Sequence, residues 1–388
     1  MKKICFITGT RADYGILAPI MQMIKDSGKA TLQIIATNMH LSPEYGMTVN
    51  DIEDDGFTVD EKISSLAEGG DMEATVMSMA KVQEGLSKAF QRLEPDMVVI
   101  LGDRYEALAA ASAAVVFNIP IAHLHGGETT EGAIDDKFRH AITQLSSIHF
   151  ASTPQYAERI ISMGIPSELV FHAGAPGAEI IDDNLTDNVE ISDPDIDKDF
   201  FDKTGLTPED SFVIFAMHPV TNLPDKGLGE LKETLVALES IINQGIKILI
   251  TMPNSDPGTL EFTRKINEWA QSFHEDVKTV KSLGHRLFPY ALEQADAIIG
   301  NSSAALIEAP SYRLPAVNVG IRQKGRVHGP TVIDVPGNRS HIEEAIKTAL
   351  SLEMKAVASG LGISALNPYY KKDSAGFIAD TLLEFLNK

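Results

Sequence analysis

Ala297-Ile298-Ile299-Gly300-Asn301-Ser302-Ser303-Ala304 reads as a short buried strand, a turn of small residues and the start of a helix. A brief apolar run that ends at a turn is a strand covered on both faces, as in a parallel sheet. Strand, turn and helix start aim backbone N–H groups and the positive end of a helix dipole at one point, which favours a phosphate. The plainer alternative is a Gly/Ser turn with Asn301 or Ser302 as helix N-cap. Glu308 and then Gly320-Ile321-Arg322 follow closely. Near the other end, Gly9-Thr10-Arg11-Ala12-Asp13-Tyr14-Gly15 follows the apolar run 4–7 and reads as a second anion-handling turn, with Arg11 offering a forked donor. It is not a G-x-G-x-x-G fingerprint, so a mononucleotide site at a strand's carboxyl end fits better than a dinucleotide site.

Outward from these two turns the same alternation recurs. Apolar runs at 4–7, 32–36, 97–101, 119–124 and 148–151 are separated by helical patterns at 16–24, 105–116 and 134–145. An acidic, Asp-rich stretch at 182–210 reads as a surface excursion, and strand patterns resume at 212–216, 246–250, 297–299 and 316–319. The expected fold is α/β, with two doubly wound, Rossmann-like domains facing a cleft. A linker at 173–179 divides domain 1–175 from domain 176–369, and a helix at 375–386 closes the chain.

The 388 residues, 44% hydrophobic, suffice for two ordinary cores. A net charge of -21 argues against nucleic acid as a partner, while leaving room for a small anion held by local arginines. The single cysteine, Cys5, fits a reducing cytoplasm. The apolar run after Met1-Lys2-Lys3 is too short for a signal peptide, and no window is apolar enough to span a membrane.

Polar residues crowd the ends of the predicted strands, where parallel sheets bind ligands. Asp103 and Arg104 follow 97–101, His123, His125 and Glu128 follow 119–122, and Asp135-Asp136 open a helix. Asp103 could instead cap the helix beginning near Tyr105. Successive helical residues lie about 100° apart, so Asp135 is assigned to the site and Asp136 to the helix or an arginine partner, with Arg139 and His140 buttressing the loop. In the second half, His218 follows 212–216, and Asn254 and Asp256 follow 246–250. His123 and His125, two apart on one strand face, lack a close third ligand, so no metal is assigned.

These motifs together resemble the hydrolysing UDP-N-acetylglucosamine 2-epimerases. The likeness rests on residues 9–15, His40-Leu41 with Tyr45-Gly46, Gly102-Asp103-Arg104-Tyr105-Glu106, His125-Gly126-Gly127-Glu128, Ile134-Asp135-Asp136, residues 139–143, His218-Pro219, Gly300-Asn301-Ser302-Ser303 and residues 322–326. Non-hydrolysing relatives carry Pro-Glu after Gly-Thr-Arg, where this chain has Ala12-Asp13. The resemblance implies a glycosyltransferase-B-like architecture. It places the nucleotide on the C-terminal domain, the sugar toward the N-terminal one, and the last helix, within 370–388, back on the first domain. It implies no metal or redox cofactor and a homo-oligomer, dimer or tetramer.

The reaction implied converts UDP-N-acetylglucosamine and water to N-acetylmannosamine and UDP. A base removes the C2 proton as UDP leaves C1, giving a 2-acetamidoglycal. Water then adds at C1 and C2 is reprotonated from the opposite face, so two acid/base groups are needed. Asp103 and Asp135 fall on acid/base positions of the family. Many relatives place a Glu where this chain has His125, so either His125 or Glu128 takes that role. Arg11, His218, Ser302, Ser303 and Arg322 suit the leaving diphosphate, and Asn254, Asp256 and Glu308 the remaining parts of the ligand. Alternatives are the same chemistry on UDP-2,4-diacetamido-2,4,6-trideoxyglucose, a retaining glycosyltransferase, or a silent UDP-sugar binder.

Overall fold

The computed structural model describes residues 1–179 and 194–387 and divides into two compact units. Unit 1 holds Met1–Thr130, Ile134–Pro176 and the chain from Lys371 onward; unit 2 holds Gly177–Tyr370 with Glu131–Ala133. Each is a parallel sheet with helices, the α/β architecture expected from the alternating pattern.

In unit 1, β1 (Lys3–Thr8), β2 (Thr31–Thr37), β3 (Glu61–Ile63), β4 (Met97–Leu101), β5 (Ile121–Leu124), β6 (Ile148–Ala151) and β7 (Val170–His172) lie in the order β3-β2-β1-β4-β5-β6-β7. In unit 2, β8 (Phe212–Ala216), β9 (Lys247–Thr251), β10 (Val277–Val280), β11 (Ala297–Gly300), β12 (Ala316–Val319) and β13 (Val332–Val335) lie in the order β10-β9-β8-β11-β12-β13. Each order reverses once, between β1 and β4 and between β8 and β11. Chain connections leave in opposite directions at such a point, opening a crevice at the strands' carboxyl ends.

Four strands absent from the sequence pattern, β3, β7, β10 and β13, are the sheet edges. Edge strands are partly solvated, so they do not need an unbroken apolar run. Within the predicted excursion 182–210, residues 194–204 form a helix, Pro194–Thr204, whose Phe200 is buried against Phe212 and Tyr290. Residues 182–193 of that stretch, and residue 388 of the 370–388 segment, lie outside the described residues.

The 9–15 stretch is a helix start rather than a turn. The helix Arg11–Ser27 is capped by Thr10, whose hydroxyl accepts from Asp13 N–H, while the Asp13 carboxylate accepts from Thr10 N–H at 3.0 Å. This reciprocal capping box fixes the first turn at the end of β1. Gly15 therefore sits inside the helix. Tyr14, Leu17, Ile20, Met21 and Ile24 recur at helical spacing and are buried.

The closing helix, Ser374–Phe385, packs into that core through Ala375, Ile378, Ala379, Leu382 and Leu383. The chain's last segment thus returns to the first unit, as the resemblance implied. Leu382→Ala removes a fully buried side chain and is expected to cost about 2–5 kcal/mol of unit 1 stability in denaturant unfolding. A loss within about 0.5 kcal/mol, typical of a surface site, would show that the helix is not docked.

Candidate active site

In unit 1, Asp103 follows β4 by two residues. It does not cap the next helix: Arg104 occupies the N-cap of Tyr105–Val116 and makes no side-chain cap bond. Asp103 instead pairs with the fully buried guanidinium of Arg139. The same guanidinium reaches Thr130 Oγ1 at 3.2 Å and Asp136 at 3.5 Å, and Asp136 also accepts from Thr130 N–H at 2.7 Å. Asp136 is thereby engaged in holding the loop, and its neighbour Asp135 opens the helix Asp135–Leu145, half-buried. One arginine binds the end of β4 to the loop and helix that carry the second carboxylate.

β5 ends at Leu124, so His125 does not share a strand face with His123. His123 is buried, donates from Nε2 to Gly102 O at 2.8 Å, and is kept neutral by burial, its pKa pushed down to about 3. It is a structural tie between the ends of β4 and β5. His125 has φ +62°, in the left-handed region, and its N–H bonds Phe150 O at 3.0 Å. Its Nδ1 lies 2.8 Å from Glu128 Oε1, which also accepts from Ser152 Oγ at 2.6 Å. All three side chains are buried. Ser152 was not selected from the sequence, although it stands directly after β6, where the strand-end rule would have found it.

Around the end of β1, Arg104 Nε donates to Glu106 Oε1 at 2.6 Å. Glu106 in turn packs against Gly9, where an added Cβ would lie 2.7 Å from its carboxylate. Burial and the nearby Glu106 push the Asp13 carboxyl up to about 6. Arg11, on the helix's first turn, is lowered to about 10 by burial.

In unit 2, β8 and β11 lie side by side as parallel neighbours at the reversal of strand order. Gly300 adopts φ +136°, and a Cβ there would stand 2.1 Å from Ala216 O. Asn301 then hydrogen-bonds the backbone of His218 in both directions, accepting its N–H at 2.7 Å and donating to its carbonyl at 2.9 Å. The Asn301 carbonyl accepts from Arg322 at 3.1 Å and Gln323 at 2.8 Å. Neither Asn301 nor Ser302 is the N-cap; Ser303 is, without a side-chain bond. The helix it opens, Ala304–Ile307, has only four residues, so its dipole is weak. Ser302 and Ser303 are half-buried on this turn.

Asn254 N–H donates to His218 Nδ1 at 3.3 Å, which in the neutral ring puts the proton on Nε2. Asp256 is buried and 4.0 Å from Arg322. Thus His218, Asn254, Asp256, Ser302, Ser303 and Arg322 gather around the β8/β11 reversal. Glu308 lies after the short helix, and burial pushes its carboxyl up to about 7. Among the described residues, no three His, Cys, Asp or Glu side chains are grouped to hold a metal ion, and no helix is long and apolar enough to cross a membrane.

A sequence profile described as UDP-N-acetylglucosamine 2-epimerase matches residues 22–383. The chain belongs to this family. Among curated relatives, the Campylobacter jejuni GDP/UDP-N,N'-diacetylbacillosamine 2-epimerase (hydrolyzing) is 34% identical over 358 residues, covering 91% of this chain and 89% of that protein. The Legionella pneumophila UDP-N,N'-diacetylbacillosamine 2-epimerase (hydrolyzing) is 34% identical, covering 90% and 89%. The Neisseria meningitidis UDP-N-acetylglucosamine 2-epimerase is 31% identical, covering 91% and 88%. Among solved structures, the Neisseria meningitidis UDP-GlcNAc 2-epimerase bound to UDP-GlcNAc aligns with a TM-score of 0.78 at 19% identity, covering 98% of this chain and all of that one, a likeness of fold. The chain is an enzyme of the UDP-sugar 2-epimerase family.

Glu308 provides a pH test of the second site. Its raised pKa means that the folded state binds this proton more tightly than the unfolded chain, whose glutamate titrates near 4.5. The associated stability is complete below pH 4.5 and is lost as pH rises through about 7. Glu308→Gln is therefore expected to flatten this dependence and to stabilise the ligand-free protein by on the order of 2 kcal/mol at pH 8, with little effect at pH 4. Parallel stability curves for the two proteins would contradict the burial of this carboxyl.

Proposed function

We propose that the protein catalyses hydrolysing 2-epimerisation of a UDP-2-acetamido sugar, with UDP-2,4-diacetamido-2,4,6-trideoxyglucose as the preferred substrate. The observation that carries the reaction is the assembly at the carboxyl ends of β4 and β5, where Arg139 joins Asp103 to the loop preceding Asp135 and the His125–Glu128 pair stands on the adjoining strand end. Inversion at C2 through an unsaturated intermediate needs proton-transfer groups for both faces of the ring, and this edge supplies an imidazole and more than one carboxylate.

The nucleotide role falls to unit 2. His218, with its Nε2 proton, the half-buried Ser302 and Ser303, and Arg322 supply donors for a diphosphate, which takes up negative charge as the C1–O bond breaks. Asn254, Asp256 and Glu308 serve the remaining parts of the nucleotide sugar. The C2 proton of a sugar is not acidic by itself, so stabilising the departing diphosphate carries much of the barrier. Arg11 and Arg104 act from the first unit.

The diacetamido preference is supported by the Campylobacter and Legionella relatives, both 34% identical and both bearing that substrate in their names. UDP-N-acetylglucosamine is the second reading, favoured by the Neisseria relative at 31% identity. Comparing kcat/KM for the two UDP-sugars, without any acceptor sugar, decides between them. The proposal expects at least about tenfold preference for the diacetamido substrate, equivalent to about 1.4 kcal/mol in transition-state binding. Equal or reversed efficiencies would transfer the assignment to UDP-N-acetylglucosamine, and turnover only with an added acceptor would point to a glycosyltransferase.

A further inference from the structure

We infer that His125 Nε2 is the base that takes the C2 proton, and that Glu128 and Ser152 are positioning residues holding it in the required tautomer. The inference rests on the epimerase reading above and assigns the proton transfer to one atom. Glu128 as a carboxylate can only accept hydrogen bonds, so the 2.8 Å contact requires the proton of a neutral His125 ring to sit on Nδ1. Nε2 then carries the lone pair. It is buried and has no hydrogen-bond partner among the described residues. A buried imidazole nitrogen without a partner costs free energy; His123 avoids this at Nε2 by bonding Gly102 O, whereas both ring nitrogens of His149 on β6 bear it.

The backbone also bears on the choice. A non-glycine residue at φ +62° is uncommon, and such strain gathers where a side chain must be held in one direction. The two residues that follow are glycines with no room for a side chain: a Cβ on Gly126 would come within 2.9 Å of His123, and one on Gly127 within 2.6 Å of Tyr156 O. Ser152 contributes from just beyond the end of β6 by donating to the same Glu128 oxygen that faces the imidazole, which leaves that carboxylate little freedom to rotate. Asp103 and its partner Arg139 lie at the adjoining end of β4. His123 and His149, on β5 and β6, are kept neutral by burial, and Arg159, from the helix Pro154–Ser162, is bonded to Thr129. Glu128 is therefore the anion that directly faces His125 and stabilises the imidazolium formed when it accepts a proton.

In the step assigned, the C2–H bond breaks and its proton passes to Nε2. The C–H electron pair becomes the C1=C2 bond of the glycal, and the C1–O pair leaves with UDP. Glu128 does not receive the proton. Position also favours the assignment, since Gly102 N–H bonds Leu124 O and sets the loops bearing Asp103 and His125 side by side on adjacent strand ends.

The test compares wild type with His125→Gln, Glu128→Gln and Ser152→Ala, using whichever UDP-sugar the wild type turns over; a wild type that turns over neither sugar refutes the epimerase reading itself. His125→Gln is expected to bind UDP normally and to lose turnover by about 10²–10⁴-fold, with no glycal released. Glu128→Gln is expected to move the acidic limb of kcat/KM down by about 1 pH unit or more, through loss of the facing anion. Ser152→Ala is expected to lower kcat with KM little changed. Near-wild-type turnover in His125→Gln, or glycal accumulation showing that elimination survives, would overturn the assignment. So would an unmoved acidic limb in Glu128→Gln. The wild-type protein gives a check independent of any variant's folding: ¹⁵N NMR of His125 should show the proton on Nδ1, and a proton on Nε2 would refute the proposal.

Discussion

The buried Arg139 guanidinium is the constraint on which the first unit's site depends. A charge taken out of water costs several kcal/mol unless it is paired and hydrogen-bonded. Here the compensation comes from Asp103, Asp136 and Thr130. Those partners come from the end of β4, the loop after β5 and the first turn of the next helix, so satisfying one charge fixes three segments at once. The arrangement also keeps Asp103 beside a permanent cation. Removing the arginine would leave carboxylates without their counter-ion as well as opening a gap.

A different device fixes the second site. At the β8/β11 reversal the two parallel strand ends are joined by a close backbone approach and an amide side chain. Gly300 passes Ala216 O where no Cβ fits, Asn301 N–H bonds that same carbonyl, and the Asn301 side chain pairs with both backbone groups of His218. Its own carbonyl then collects Arg322 and Gln323. The side chains proposed for the diphosphate thus stand around an asparagine that ties their segments together.

What was legible in the sequence follows from how each feature earns its free energy. Central strands such as Met97–Leu101 and Phe212–Ala216 are buried on both faces, so they show as unbroken apolar runs. Glu61–Ile63 and Val332–Val335, at the edges, are partly exposed and give no such signal. Strand-end polar residues such as Asp103, His125 and His218 can be picked out by their place after apolar runs. Their partners cannot. The pairing of Asp103 with Arg139, of Glu128 with Ser152 and of Asn301 with His218 spans 36, 24 and 83 residues of sequence, and only the sheet order brings them together. Local propensity misled where tertiary packing dominates. The 9–15 glycines suggest a turn, yet the Thr10–Asp13 capping box makes a helix start, and the Asp-rich stretch hides a helix anchored by Phe200.

In the proposed reaction the sugar passes through an unsaturated intermediate formed by loss of both the C2 proton and UDP. Isotope labelling reads this in one reaction. Turnover in deuterated water enriched in ¹⁸O should give a sugar with one deuterium at C2 and ¹⁸O at C1, and UDP without ¹⁸O. Protium retained at C2, or ¹⁸O appearing in UDP, would mean that the bond broken is not C1–O with proton exchange at C2, and would contradict the claim.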